Sequence, residues 1–311
     1  MGPIFFPRKA LTANIETVYG TDPGLTGANG IMAHNISLTP LEAETISDEG
    51  LPQNHLGSAL QFLTNKSVSL EFEVECIGHA SPGTAPKIGS LLRACSMQEI
   101  VTATTDVEHL PITENEESVS IGINIDGNYH LITGAKGNLT YALNLNERFF
   151  LKFAFKGLFN APISQAFPSA DFTGIQRGHT ITNGLVSNFL LHTQAVEPRS
   201  LEIDMGVAVE VDQTLNAMEM VVADRQASGS IVFDAPNLSD YNWFDHVTAE
   251  NLGALSFQVG STAGRIVEIS HPNVQLTEPK YGEEKKRATL EASLNVMPTA
   301  AGNDEFSLTF R

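Results

Sequence analysis

The chain has 311 residues, 42% hydrophobic and 17% charged, which suffices for a sizeable core and carries no compositional mark of disorder. Thirty-six Asp and Glu against eighteen Lys and Arg give a formal charge of −18, which excludes a general nucleic-acid binder working through a cationic surface. No stretch reaches the roughly 20 apolar residues of a membrane helix. The opening MGPIFFPRKAL, with Pro3 and Pro7 in its short apolar run and Arg8-Lys9 after it, reads against a secretory leader.

Residues 1–30 carry Gly and Pro breaks and the apolar Ile4-Phe5-Phe6, and read as an N-terminal arm. A strand is expected near 33–46, followed by a loop over 47–66 whose second part, LGSALQFL, is apolar. Residues 67–76 alternate strictly, with Val68, Leu70, Phe72, Val74 and Cys76 on one face and Ser69, Glu71, Glu73 and Glu75 on the other. Residues 86–97 begin with Pro86 and place Ile88, Leu91, Leu92 and Cys95 on one side of a helix. Strands at 119–125, 129–133, 139–145 and 149–155 form an antiparallel meander, broken at Asp126-Gly127 and Lys136-Gly137. Cys76 and Cys95 are expected to stay reduced and buried.

A linker rich in Asn, Gly, Thr and Phe covers 157–198. Beyond it, 201–212 alternates again, with Leu201, Ile203, Met205, Val207, Val209 and Val211 opposite Glu202, Asp204, Glu210 and Asp212. A strand at 230–234 precedes a helix over 237–250, with Asn237 and Ser239 as capping candidates and Tyr241, Phe244 and Val247 on one side. Further strands are expected at 255–259, 265–269, 288–296 and 305–311.

This succession repeats itself. Strand, strand, helix and closing strands occur once in 31–156 and again in 199–311, and LTYALNL then FFLKFAF in the first series parallels TLEASLNV then EFSLTFR in the second. Residues 1–156 carry nine basic and seventeen acidic side chains, and 157–311 carry nine and nineteen. The expected fold is mainly β, with two copies of one small β domain, each flanked by an α-helix. The apolar arm and loop are expected to be ordered by packing on neighbouring subunits.

Catalytic patterns are missing. The chain has no HExxH, GxSxG, GxxxxGK[ST] or CxxC; GSTAG at 260–264 reads as a tight turn, and NIDGN at 124–128 as a hairpin turn rather than a calcium loop. The nine His residues show no ligand-like spacing, and no cofactor or metal is expected. A glycosidase-type acid pair needs two carboxyls in a cleft, whereas the carboxylates here lie in rows on sheet faces. The single Trp243, in an expected helix, argues against an aromatic sugar-binding platform.

The arm IETVYGTDPGLTGANGI (15–31), the segment SVSIGINIDGNYHLITGAKGNLTYALNL (118–145) and the ending NDEFSLTFR (303–311) together resemble the major tail tube proteins of long, non-contractile-tailed bacteriophages. The resemblance implies two tandem β-sandwich or barrel domains of the tail-tube type, and rings whose inner strands join in one β-barrel. It implies stacked rings that form a virion tail tube, assembled in the host cytoplasm, through which double-stranded DNA passes without specific binding. Partners would be the chain itself, a tape-measure protein, and terminator or distal tail proteins, with no membrane involved. Two copies in one chain imply a pseudo-hexagonal ring of three subunits, with six as the alternative. Another tail ring component, such as a terminator or baseplate hub, would share the fold.

On that reading Glu71, Glu73, Glu75, Glu202, Asp204, Glu210 and Asp212 face the lumen and keep the polyanion centred. Ile4, Phe5, Phe6 and Tyr19 of the arm, with Leu56, Leu60 and Phe62 of the loop, are the expected contacts between rings.

Overall fold

The computed structural model describes residues 4–48 and 58–311. Within them the protein is mainly β, with one large antiparallel sheet, a separate two-stranded sheet and two short α-helices. The first half comprises β1 (Lys9–Ile15), β2 (Gly30–Ile31), β3 (Ala33–Ser47), β4 (Gln61–Glu75), α1 (Gly89–Arg93), β5 (Met97–Thr102), β6 (Asp106–Pro111), β7 (Val119–Ile125), β8 (Asn128–Asn144) and β9 (Phe150–Phe159). Three strands follow: β10 (Ile163–Ser164), β11 (Val186–Leu191) and β12 (Gln194–Ala195). The second half comprises β13 (Pro198–Asp204), β14 (Val207–Gln213), β15 (Met218–Arg225), β16 (Ser228–Asp234), α2 (Trp243–Thr248), β17 (Leu252–Val259), β18 (Val267–Glu284), β19 (Arg287–Met297) and β20 (Ser307–Phe310).

Eight strands form one unbroken antiparallel ladder in the order β3-β4-β9-β8-β13-β16-β19-β18. Its two halves have the same internal order: first strand, second strand, last strand, penultimate strand. In each half the helix follows the second strand, and the penultimate strand also pairs with the one before it, β8 with β7 and β18 with β17. Backbone pairing joins the halves where β8 meets β13, from Ser200 opposite Asn144 to Asp204 opposite Thr140.

Period-two alternation puts one face of this ladder against the core. Leu70, Phe72, Leu151, Phe153, Tyr141, Leu201, Ile203, Ile231, Phe233, Leu290 and Leu294 are all buried in one contiguous cluster spanning both halves. Each such side chain contributes about 2 to 3 kcal/mol on leaving water. Phe72 stacks on Phe153 and Phe155, with ring centroids 5.6 and 5.9 Å apart. At the seam, the Tyr141 hydroxyl donates to His271 Nε2 at 2.7 Å, and His271 Nδ1 donates to the Glu305 carbonyl at 2.8 Å. Burial pushes the His271 imidazole down from 6.5 to about 4, against the carbonyl's smaller upward pull.

Several expectations change. The 201–212 strand breaks at Gly206 (φ +62), where a Cβ would stand 2.0 Å from the Gln226 carbonyl oxygen. The chain then leaves the large sheet, and among the described residues β14 pairs only with β15. The helix expected over 86–97 shrinks to Gly89–Arg93, though Ile88, Leu91, Leu92 and Cys95 are buried as its pattern implies. In the second helix Asn242 is the cap, accepting from the Phe244 and Asp245 amides, while Asn237 sits in a preceding turn. Lys136-Gly137 is no turn: β8 runs through it, with a register shift against β9 between Thr133 and Lys136. Asp126-Gly127 does turn the chain, both residues at positive φ. Part of the expected arm is the integral strand β1, paired along its length with β7, and part of the expected linker is β11, paired with β17. Cys76 and Cys95 are free and buried.

Candidate assembly surface

The ladder's other face is polar. One cross-strand row reads Glu73, Lys152, Thr140, Asp204, Ser228, Asn295 and Gln275, each residue opposite the next. A neighbouring row reads Glu202, Ser230, Ser293 and Thr277. Hydroxyls and amides therefore dominate, with carboxylates spaced among them. Glu71 opposes Ala154, and Glu291, absent from the acidic rows expected above, pairs with Lys280 at 3.3 Å. The face carries Glu71, Glu73, Glu202, Asp204, Asp234, Glu284 and Glu291 against Lys152, Lys156, Lys280 and Arg287, a mild anionic excess rather than a wall of charge. Two of its acids are positioned by neighbours. Glu73 accepts from the Asn35 amide at 2.7 Å, and Asp204 accepts from Asn138 and from the Gly206 amide.

Three of the seven expected lumen carboxylates lie elsewhere. Glu75 ends β4 on the polar side, but Gly178 packs directly on its side chain and it is only 6% exposed. Its carboxylate is paired with Arg148, lies 3.8 Å from His34 Nε2 and accepts the Gly178 amide. Strict alternation gives no sign of such a cover. Glu210 and Asp212 belong to the separate hairpin β14–β15 and share no strand with the ladder.

Both margins of the ladder lack a partner among the described residues. β3 pairs only with β4 over 33–47, and β18 beyond Thr277 pairs only with β19. A row of open amides and carbonyls at each margin is a template for another strand.

The β3–β4 and β14–β15 hairpins leave the same end of the ladder. β3 and β4 carry Leu41, Ile46, Leu60, Phe62 and Leu63 outward, all exposed; Leu56 lies outside the described residues. At the start of the arm Ile4, Phe5 and Phe6 are exposed as well. They are tied to their own subunit, since the Phe5 amide donates to Asp126 at 2.8 Å and the Lys9 ammonium sits 3.8 Å over the Phe6 ring.

Tyr19 is 38% exposed and is also tied to its own subunit. Its hydroxyl donates to the Gly134 carbonyl at 3.3 Å and accepts the Met220 amide, joining β8 to β15. Gly134 has φ +59 and lies so close to the Tyr19 ring that a Cβ would come within 2.8 Å of it. Beside it, buried Glu16 accepts from the Gly20 and Gly134 amides and from the Ser118 and Ser120 hydroxyls. The alternation of Leu11, Ala13 and Ile15 just before Glu16 was the available signal that this stretch belongs to the fold. No group of His, Cys, Asp or Glu able to hold a metal ion occurs among the described residues. Searched against models of known protein families the chain matches none, and it matches no curated protein.

Proposed function

We propose that this chain is the repeating subunit of a hollow tube of stacked rings, the tail tube of a long-tailed virion, and that double-stranded DNA passes through it. The observation that carries the reading is the eight-stranded antiparallel ladder, core-packed on one face, polar on the other and open at both margins. Joining the β18 margin of one copy to the β3 margin of the next closes the ladder and leaves it no open margin.

Strand spacing supports three copies per ring. Strands about 4.8 Å apart and tilted by about 40° close a barrel whose width grows with strand number. Three copies leave a bore of roughly 35 to 40 Å after side chains, whereas two leave roughly 20 Å, no wider than a hydrated duplex. The lining suits passage. Its small hydroxyl and amide side chains give a smooth wall, and the mild carboxylate excess repels phosphates within about 8 Å at physiological salt.

Negative-stain imaging of the purified protein, with a mass measurement of the smallest closed particle, tests this. Hollow rings of three copies stacking into tubes are expected. A compact monomer at every concentration would overturn the proposal, and single rings that never stack would move it to a terminator or hub component.

A further inference from the structure

Resting on that stacked-ring reading, we infer that two hairpins of the second half dock on each other between copies. The Lys285-Lys286 turn of one copy meets the Asp212–Glu219 face of the copy stacked on it. If the margins close sideways, the ends of the strands become the two rims of a ring, and these hairpins leave opposite rims. β19 starts at Arg287, while Asn295, level with Ser228 and Asp204, marks the other end, about 26 Å away. The β18–β19 turn projects from the first end, and β14–β15 leaves from the second.

The acidic hairpin has a face that its own subunit does not satisfy. Val209, Met220 and Val222 pack toward the core, so the opposite face turns Glu210, Asp212 and Glu219 outward. Asp212 stands directly opposite Glu219 in the ladder, and like charges so placed repel. None of the three makes an ion pair among the described residues. The hairpin is also held in place, by Tyr19 at Met220 and by Arg225, which pairs with Glu305 and donates to the Ile112 carbonyl.

The opposite rim supplies the complementary charge. Lys285 and Lys286 form a two-residue turn at φ 50 and 64, positions that Asn-Gly fills most easily. Both ammonium groups are carried on exposed residues; Lys285 lies 4.0 Å from the carboxylate of its neighbour Glu284, and Lys286 makes no ion pair among the described residues. Copies of charge −18 repel one another overall, so head-to-tail stacking needs local attraction, and this pair of surfaces provides it.

The test is a charge swap read by sedimentation of assembled protein at physiological salt. Lys285→Glu with Lys286→Glu, and separately Asp212→Lys with Glu219→Lys, should each raise the concentration needed for tubes by about tenfold or more. All four changes together should return it to near the wild-type value. A further variant, Lys285→Asn with Lys286→Gly, should melt at a higher temperature than wild type yet assemble less readily, an opposition that a purely structural role does not produce. Circular dichroism confirms that each variant folds. Unchanged assembly in the charge-reversed variants, or failure of the four-fold swap to rescue it, overturns the docking. Wild-type protein that forms no polymer at all overturns the tube reading and this inference with it.

Discussion

The long hairpin of the first half and its counterpart in the second begin alike and end differently. β3 and β4 run on from the ladder through three register shifts and carry Ile46, Leu60, Phe62 and Leu63 to an exposed end. In the second half the same pair of strands breaks at Gly206. Its outer part becomes β14–β15, which lies against β8 and β9 with Met220 buried and tied to Tyr19. Strand order, which the shared core dictates, is the same in both halves; the hairpin ends, outside that core, are free to differ. One is left apolar and open, the other is braced and turns carboxylates outward. The two ends of a common plan thus offer a neighbour different chemistry.

The sharpest way to break the comparison is to remove the bend. Gly206→Val places a branched side chain at positive φ and into the Gln226 carbonyl, and should destabilise the subunit by about 4 kcal/mol in urea unfolding. A change below 1 kcal/mol would mean that the bend is not enforced there.

A second test addresses the seam joining the halves, where His271 of β18 meets Tyr141 of β8. Its folded pKa lies below its unfolded one, so the unfolded chain takes up the proton first. Stability should be whole above pH 6.5 and fall by up to about 3 kcal/mol as pH approaches 4. His271→Gln should flatten that slope in melts taken across the same range, and an unchanged slope would remove His271 as its source.

A smaller effect separates the braced hairpin from the open one. Tyr19→Phe deletes the hydroxyl between Gly134 and Met220 and should cost about 1 to 2 kcal/mol, with faster amide exchange at Met220. Phe62→Ser at the open end should leave the isolated subunit within about 0.5 kcal/mol of wild type while weakening assembly. Equal effects on folding at the two ends would erase the distinction.

Much of this architecture is legible in the sequence because period-two alternation follows burial. The faces of 67–74 and 201–205 follow directly from it, and the turn at Asp126-Gly127 follows from its turn-forming dipeptide. What alternation misses is decided from outside the strand. Glu75 keeps the right parity and is nevertheless buried, with Gly178 packed on it. Glu210 and Asp212 keep it too, yet a single positive-φ glycine carries them into another sheet. The second half of β18 is hidden by Pro279, which sits at a register shift where a missing amide costs the ladder nothing. In the arm, Tyr19 is exposed as the sequence reads, but its hydroxyl bonds to Gly134 and Met220 are not legible because those partners lie far along the chain.

A cryo-electron microscopy map of the assembled protein tests the central claim most directly. The account predicts a closed β-barrel around the axis with Glu71, Glu73, Glu202, Asp204 and Glu291 pointing into the bore. A map in which that polar face looks outward, or in which the β3 and β18 margins do not meet between copies, would contradict it.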